Sequence, residues 1–152
     1  MTSNQQLVIF VTIFTKKVKL SPINSFCLSS MALQIIALVG EIEKSLSELE
    51  HIHAAAHERG GREFVWNTTE IGHIHWNGDL DILLSKKART ALVKAGITQI
   101  HKWIPESGWT TFPVADATDI ATATNLLRLS YFHKRLRKST PPEEREYYST
   151  QL

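Results

Sequence analysis

Cysteine is all but missing. Cys27 stands alone in 152 residues, so no disulfide can close within the chain and a thiolate zinc site is excluded. A reducing cytoplasm is the compartment this fits. Long apolar runs are scarce too. "LVIFVTIF" at residues 7–14 falls far short of the roughly 20 residues a bilayer crossing needs. No Lys or Arg precedes it, Lys16 and Lys17 follow at once, and no small-residue cleavage site is evident, so it reads poorly as a signal peptide. No membrane association is expected. Charge of one sign is also lacking. A net charge of +2 and a pI near 8.7 permit an anionic partner without demanding one. There is no Gly-rich phosphate loop, no nucleophile elbow around Ser107, no internal repeat and no low-complexity stretch.

What is present suits one globular domain. At 43% apolar and 21% charged, the composition rules out disorder across the chain, and the length buries a core without staples. Residues 1–32 read as an N-terminal extension holding at most one strand, with Met31 as an alternative start. Residues 33–138 read as the domain, and residues 139–152 as a frayed acidic tail behind the Pro141-Pro142 break.

From Leu33, apolar positions at Ile35, Leu38, Val39, Ile42, Leu46 and Leu49 fall at helical spacing. Gly60-Gly61 then breaks the chain before a short strand at Glu63 to Trp66. After a hairpin, Ser85 and Gly96 bracket a second helix whose narrow apolar face is Ala88, Leu92 and Ala95. "TQIHKWI" and "WTTFPV" read as strands joined by residues 105–108. That loop pairs His101 with Phe112, on the face that also holds Trp103 and Val114. Asp116 and Asp119 form a capping-box pattern ahead of a helix that buries Ile120, Ala123, Leu126, Leu127 and Tyr131. The order α-β-β-β-α-β-β-α, with short turns, predicts an α+β domain: an antiparallel sheet of about five strands with helices on one face.

"EIGHIHWNGDLDILLS", residues 70–85, holds the main functional question. A two-residue Asn77-Gly78 turn would set His75 opposite Leu80 and His73 opposite Ile82, among apolar neighbours. A three-residue loop, Asn77 to Asp79, would instead pair Trp76 with Leu80, Ile74 with Ile82 and His75 with Asp81. That leaves one clean apolar surface and places His73, His75 and Asp81 together on the other. A one-residue slip reverses the faces, so only one arrangement can hold. Segregation of large apolar side chains favours the second. Two imidazoles and a carboxylate on one face are ligands for a divalent transition metal, with positions left for a small-molecule ligand, and His57, Glu70 or His101 could add a contact. Without a metal, a histidine would serve as general base, because its pKa lies near neutrality. The plainer alternative is a set of hydrogen-bonded structural histidines.

Two basic features carry other readings. Ser85 opens a helix whose first turn holds Lys86 and Lys87, with Arg89 behind, an arrangement suited to a phosphate or carboxylate and otherwise a solvated basic face. Lys134, Arg135, Arg137 and Lys138 complement a helix C-terminus and, with Tyr131 and Phe132 nearby, offer a nucleic-acid surface. Nucleic acid is not the favoured partner. A protein-interaction or structural domain is the remaining class. Neither the oligomeric state nor any catalysed reaction follows from the residues.

"HERGGREF", "EIGHIHWNGDLDILL", "SGWTTFPV" and "LLRLSY", in this order and spacing, are similar to a small family labelled luciferase-domain proteins. The likeness covers about residues 33 to 135. It implies a stand-alone α+β domain with signature positions at His57, Gly61, Glu63, Phe64, Gly72, His73, His75, Asp81, Gly108, Trp109, Ser130 and Tyr131. Glu58-Arg59 departs from the basic and aromatic residues that the family tends to have there. The element order also resembles MmcQ/YjbR-type domains, some of them called DNA-binding. The expectation is therefore a small-ligand or metal-binding domain centred on His73, His75, Asp81 and His57, with Ser85, Lys86, Lys87, Trp109 and Tyr131 as further contacts.

Overall fold

A computed structural model describes the backbone of residues 22–137 and the side chains of residues 30–137. The expected N-terminal strand before residue 22, Lys138 and the tail at 139–152 lie outside the described residues. The chain divides into two units, residues 1–34 and 35–152. In the first, residues 22–34 are helical. The second carries the sheet. No helix among the described residues is long and apolar enough to cross a membrane.

The elements run α1 (Pro22–Leu46), β1 (Ile52–Ala56), β2 (Arg62–Trp66), β3 (Thr69–Ile74), β4 (Asp79–Leu83), α2 (Lys86–Lys94), β5 (Gln99–Ile100), β6 (Trp109–Pro113), a 3-10 turn at Ala117–Asp119 and α3 (Ile120–Arg137). Among the described residues the fold is α+β, with three α-helices and one antiparallel sheet ordered β1-β2-β3-β4-β6-β5. It has one strand more than expected. β1, "IHAAA", lacks the alternation that announces a strand and has Ile52 as its one β-branched residue, and it is held by its pairing with β2. The first helix starts at Pro22 rather than Leu33. Proline is tolerated in a first helical turn, where the missing N–H has no partner to lose.

The remaining caps form as the residues suggest. The Ser85 hydroxyl accepts the Ala88 N–H, and the Gly96 and Ile97 N–H groups close back on Val93 and Leu92. Asp116 and Asp119 form the reciprocal capping box. Ala123, Leu126, Leu127 and Tyr131 of α3 are buried, and they join Ile35, Leu38, Val39, Ile42 and Leu46 of α1 in one core against Phe64, Ile74, Leu80, Ile82 and Phe112. Ser130 ties α3 to the sheet by donating to the Leu83 carbonyl at 2.8 Å. The sheet therefore has a covered apolar face and a second face of different chemistry.

Register decides which side chains reach that second face. In the β3–β4 hairpin His73 lies opposite Asp81, Ile74 opposite Leu80 and Gly72 opposite Ile82. The three-residue loop is Trp76 to Gly78, not Asn77 to Asp79. The pairing thus differs from the expected one by two residues, which preserves the faces. The cause is Gly78: its N–H bonds the His75 carbonyl at 2.9 Å, and its φ of +92° completes a type I turn plus bulge. The Asn77 side chain accepts the Asp79 N–H instead of sitting in a two-residue turn.

The second hairpin differs more. β5 stops at Ile100 and pairs Gln99 with Thr111 and Ile100 with Thr110. Continued one step, that register sets His101 beside Trp109 rather than Phe112, an odd shift that moves it to the opposite face. Trp103, expected on a half-buried strand, stands in a loop and is 75% exposed.

Candidate functional site

The uncovered face gathers the histidines. The His73 Nε2, His75 Nε2 and His101 Nε2 atoms lie 3.5, 3.5 and 3.4 Å from one oxygen, Asp81 Oδ2. The other Asp81 oxygen accepts the Thr111 hydroxyl. Asp81 is buried, His73 and His75 are half-buried, and His57 stacks on His73 with ring centroids 4.0 Å apart and planes 10° from parallel. Trp109 walls the cluster, its ring 5.3 Å from His73 and 6.3 Å from His101.

Glu70 reaches this cluster through a bulge. On a regular strand, residues three apart point to opposite faces. Between Phe64 and Val65 of β2 the register shifts, Phe64 facing Gly72 and Val65 facing Glu70, so Ile71 is the extra residue of β3. Ile71 turns into the core and Glu70 turns to the His73 side, where its carboxylate accepts His73 Nδ1 at 2.5 Å. The β1–β2 loop supplies the next contact. His75 Nδ1 is 3.3 Å from the Gly60 carbonyl, and that approach needs Gly61. A Cβ there would lie 2.0 Å from the Ile74 carbonyl oxygen, at a φ of +109°.

The electrostatics follow from these contacts. Burial alone would lower the His73 pKa, but the neighbouring Asp81 and Glu70 carboxylates outweigh it and push the ring up to about 9. Burial would raise Asp81, yet His73 and Thr111 hold its carboxyl below the usual range. His57 is lowered by burial and by the cationic His73 against it. In the metal-free protein a neutral His57 thus stacks on a cationic His73. Stability has a corresponding pH signature. The folded-state His73 pKa exceeds the unfolded value near 6.5, so its contribution is complete below pH 6.5 and is lost as pH rises through about 9. Denaturant titration of chelator-treated protein should show a fall on the order of 3 kcal/mol across that window, absent in His73→Gln. A flat profile would show that the two carboxylates do not hold the ring charged.

Among the described residues, two groups could hold a metal ion, His57–Glu70–His73 and His73–His75–Asp81, each with donor atoms within 4.8 Å of one another. Ring geometry separates them. Imidazole lone pairs lie in the ring plane, so two parallel stacked rings cannot both aim at one ion. His73 and His75 stand at 82° with centroids 4.9 Å apart, and their Nε2 atoms converge on the Asp81 carboxylate. His101 differs from both. Its Nδ1 accepts the Trp103 and Ile104 N–H groups at 3.2 and 3.3 Å, so the neutral ring carries its proton on Nε2, facing Asp81 as a donor.

The structure therefore brings together His73, His75, Asp81, His57 and Trp109, with Glu70 and His101 beside them. It places Tyr131 elsewhere: that side chain lies in the core, edge-on to Trp66 and Phe132, with its hydroxyl accepting from Arg135 at 2.5 Å. Ser85 is spent as an N-cap, and Lys86 and Lys87 are exposed on α2. Residues 68–130 match the family model of the Luciferase domain. No curated protein and no solved structure matches the chain significantly. The Luciferase domain match takes in Gly72, His73, His75, Asp81, Gly108, Trp109 and Ser130. His57 and Gly61 precede it, although the structure sets both against the histidines of the matched segment.

Proposed function

We propose that His73, His75 and Asp81 hold a divalent transition metal, and that the protein is a metal-dependent small-ligand-binding domain. One observation carries this reading. Both Nε2 atoms lie 3.5 Å from Asp81 Oδ2, while both Nδ1 atoms face oxygen acceptors, Glu70 and the Gly60 carbonyl. A separation of 3.5 Å is long for a hydrogen bond, and it matches the edge of a tetrahedron whose metal–ligand bonds are about 2.0–2.2 Å. Ligating histidines characteristically donate the other ring N–H to a carboxylate or a backbone carbonyl. Tetrahedral spacing with nitrogen and oxygen donors favours zinc, and three protein ligands leave a position for water or a ligand. An ion there would act as a Lewis acid or activate bound water.

The basic surfaces have less behind them. Arg135 bonds Glu50 at 3.0 Å and lies over Trp66 and Tyr131, and Arg89 bonds the Pro105 carbonyl. Both are engaged within the fold. Equilibrium dialysis with zinc tests the metal reading. One ion per chain should bind at micromolar free zinc or below, and cobalt in its place should give the intense visible absorption of a tetrahedral site. Failure to bind either ion at micromolar concentration refutes the proposal.

A further inference from the structure

The stretch from Ile97 to Ile104 leaves four large apolar side chains in solvent, Ile97, Ile100, Trp103 and Ile104. Among the described residues after Ile36, no other large hydrophobic is exposed. β5 pairs only with β6, so Gln99–Ile100 forms an edge of the sheet. Four exposed apolar side chains within eight residues make this stretch a candidate binding surface. Its position adds chemistry: one cleft of about 370 Å³ is lined both by His75, Asp81 and His101 and by Ile100, Lys102 and Trp103. Two of the three proposed ligands, His75 and Asp81, thus open into the same space as Ile100 and Trp103.

We infer that the centre takes a small carboxylate with an apolar body, the carboxylate bound at the metal and the body lying over Ile100 and Trp103. This rests on the metal reading above. A divalent ion with one aspartate and two neutral imidazoles keeps a net charge of +1, which favours an anionic oxygen donor in the open position. Lys102, its ammonium 5.0 Å from the Trp103 ring centroid, adds positive charge beside the shelf. Asp79, an acid on the cleft, accepts the Asn77 amide at 2.7 Å. The volume lies at the low end of small-molecule pockets, about 300–1,000 Å³, and suits a compact acid rather than a nucleotide or peptide. Trp103 presents a flat apolar surface to such a body at little ordering cost, because the indole turns about only two side-chain torsions.

Calorimetric titration of the full chain, loaded with one equivalent of zinc, tests this with three probes: acetate, 4-phenylbutyrate and 4-phenylbutanol. Phenylbutyrate should bind at least about 10-fold more tightly than either of the others, and only with zinc present. Trp103→Ala and Ile100→Ser should each bring its affinity down toward that of acetate. Equal affinity for acetate and phenylbutyrate overturns the inference, as does equal affinity for the alcohol or indifference to both substitutions. A dimer that buries the β5 edge and dissociates in Trp103→Ala would also overturn it, assigning the shelf to a second copy of the chain. Zinc uptake, read in the same samples, separates the two proposals. No uptake refutes the metal site itself, whereas uptake without discrimination among the probes refutes only the ligand class.

Discussion

Asp81→Asn should lower zinc affinity by roughly 1,000-fold, on the order of 4 kcal/mol, the largest single effect expected at the cluster. In the proposed site the carboxylate would supply one of three ligands and the negative charge that offsets the ion, and its Oδ2 is the oxygen on which His73, His75 and His101 converge. An asparagine keeps the volume and can still accept the Thr111 hydroxyl, so the fold should survive. His75→Ala should weaken binding comparably. The surrounding residues should grade below these. Glu70→Gln and His101→Gln remove groups that orient ligands without touching the ion, and should cost about 10–100-fold. Isothermal titration with zinc orders the four variants. If His101→Gln abolishes binding while His75→Ala does not, His101 is a ligand and its assignment as a donor to Asp81 is wrong.

Gly61→Ala should destabilise the protein by roughly 3 kcal/mol or more, while the neighbouring Gly60→Ala should cost only about 1–2 kcal/mol. Both glycines have positive φ, +84° at Gly60 and +109° at Gly61. Only the second is also crowded by backbone. A methyl at Gly60 would meet nothing nearer than the Trp76 ring at 3.7 Å, whereas at Gly61 it would meet the Ile74 carbonyl oxygen at 2.0 Å and His75 Cα at 2.9 Å. Relief requires the β1–β2 loop to lift off the β3 terminus, taking the Gly60 carbonyl away from His75 and His57 away from His73. Chemical denaturation measures the first effect, and zinc titration of the folded fraction the second. Equal costs at the two glycines would mean that strain alone, and not the close approach, sets the requirement.

How much of this was legible depended on how local each signal was. The Asp116–Asp119 box, the Ser85 cap and the α3 stripe are short-range patterns, and they formed as read. The faces of the central hairpin were legible because Ile74, Trp76, Leu80 and Ile82 must share one surface, which constrains parity. The absolute register was not, because it depends on which residue of Trp76-Asn77-Gly78 takes the left-handed conformation. His101 was assigned to the wrong face because a four-residue loop was assumed where the chain leaves the sheet at Ile100. Glu70 could be named only as an accessory. Its place beside His73 comes from an irregularity between two strands, and no spacing within one strand signals it.

That irregularity makes the hairpin intolerant of length change. A chain lacking Ile71 could restore unbroken β2–β3 pairing, and sheet regularity alone would welcome the loss. Glu70 would then stand two residues from His73 and keep its face, but the interior would lose the fully buried Ile71 side chain. Deletion is therefore punished in the oily interior, where a void is left, while the polar surface keeps its acid.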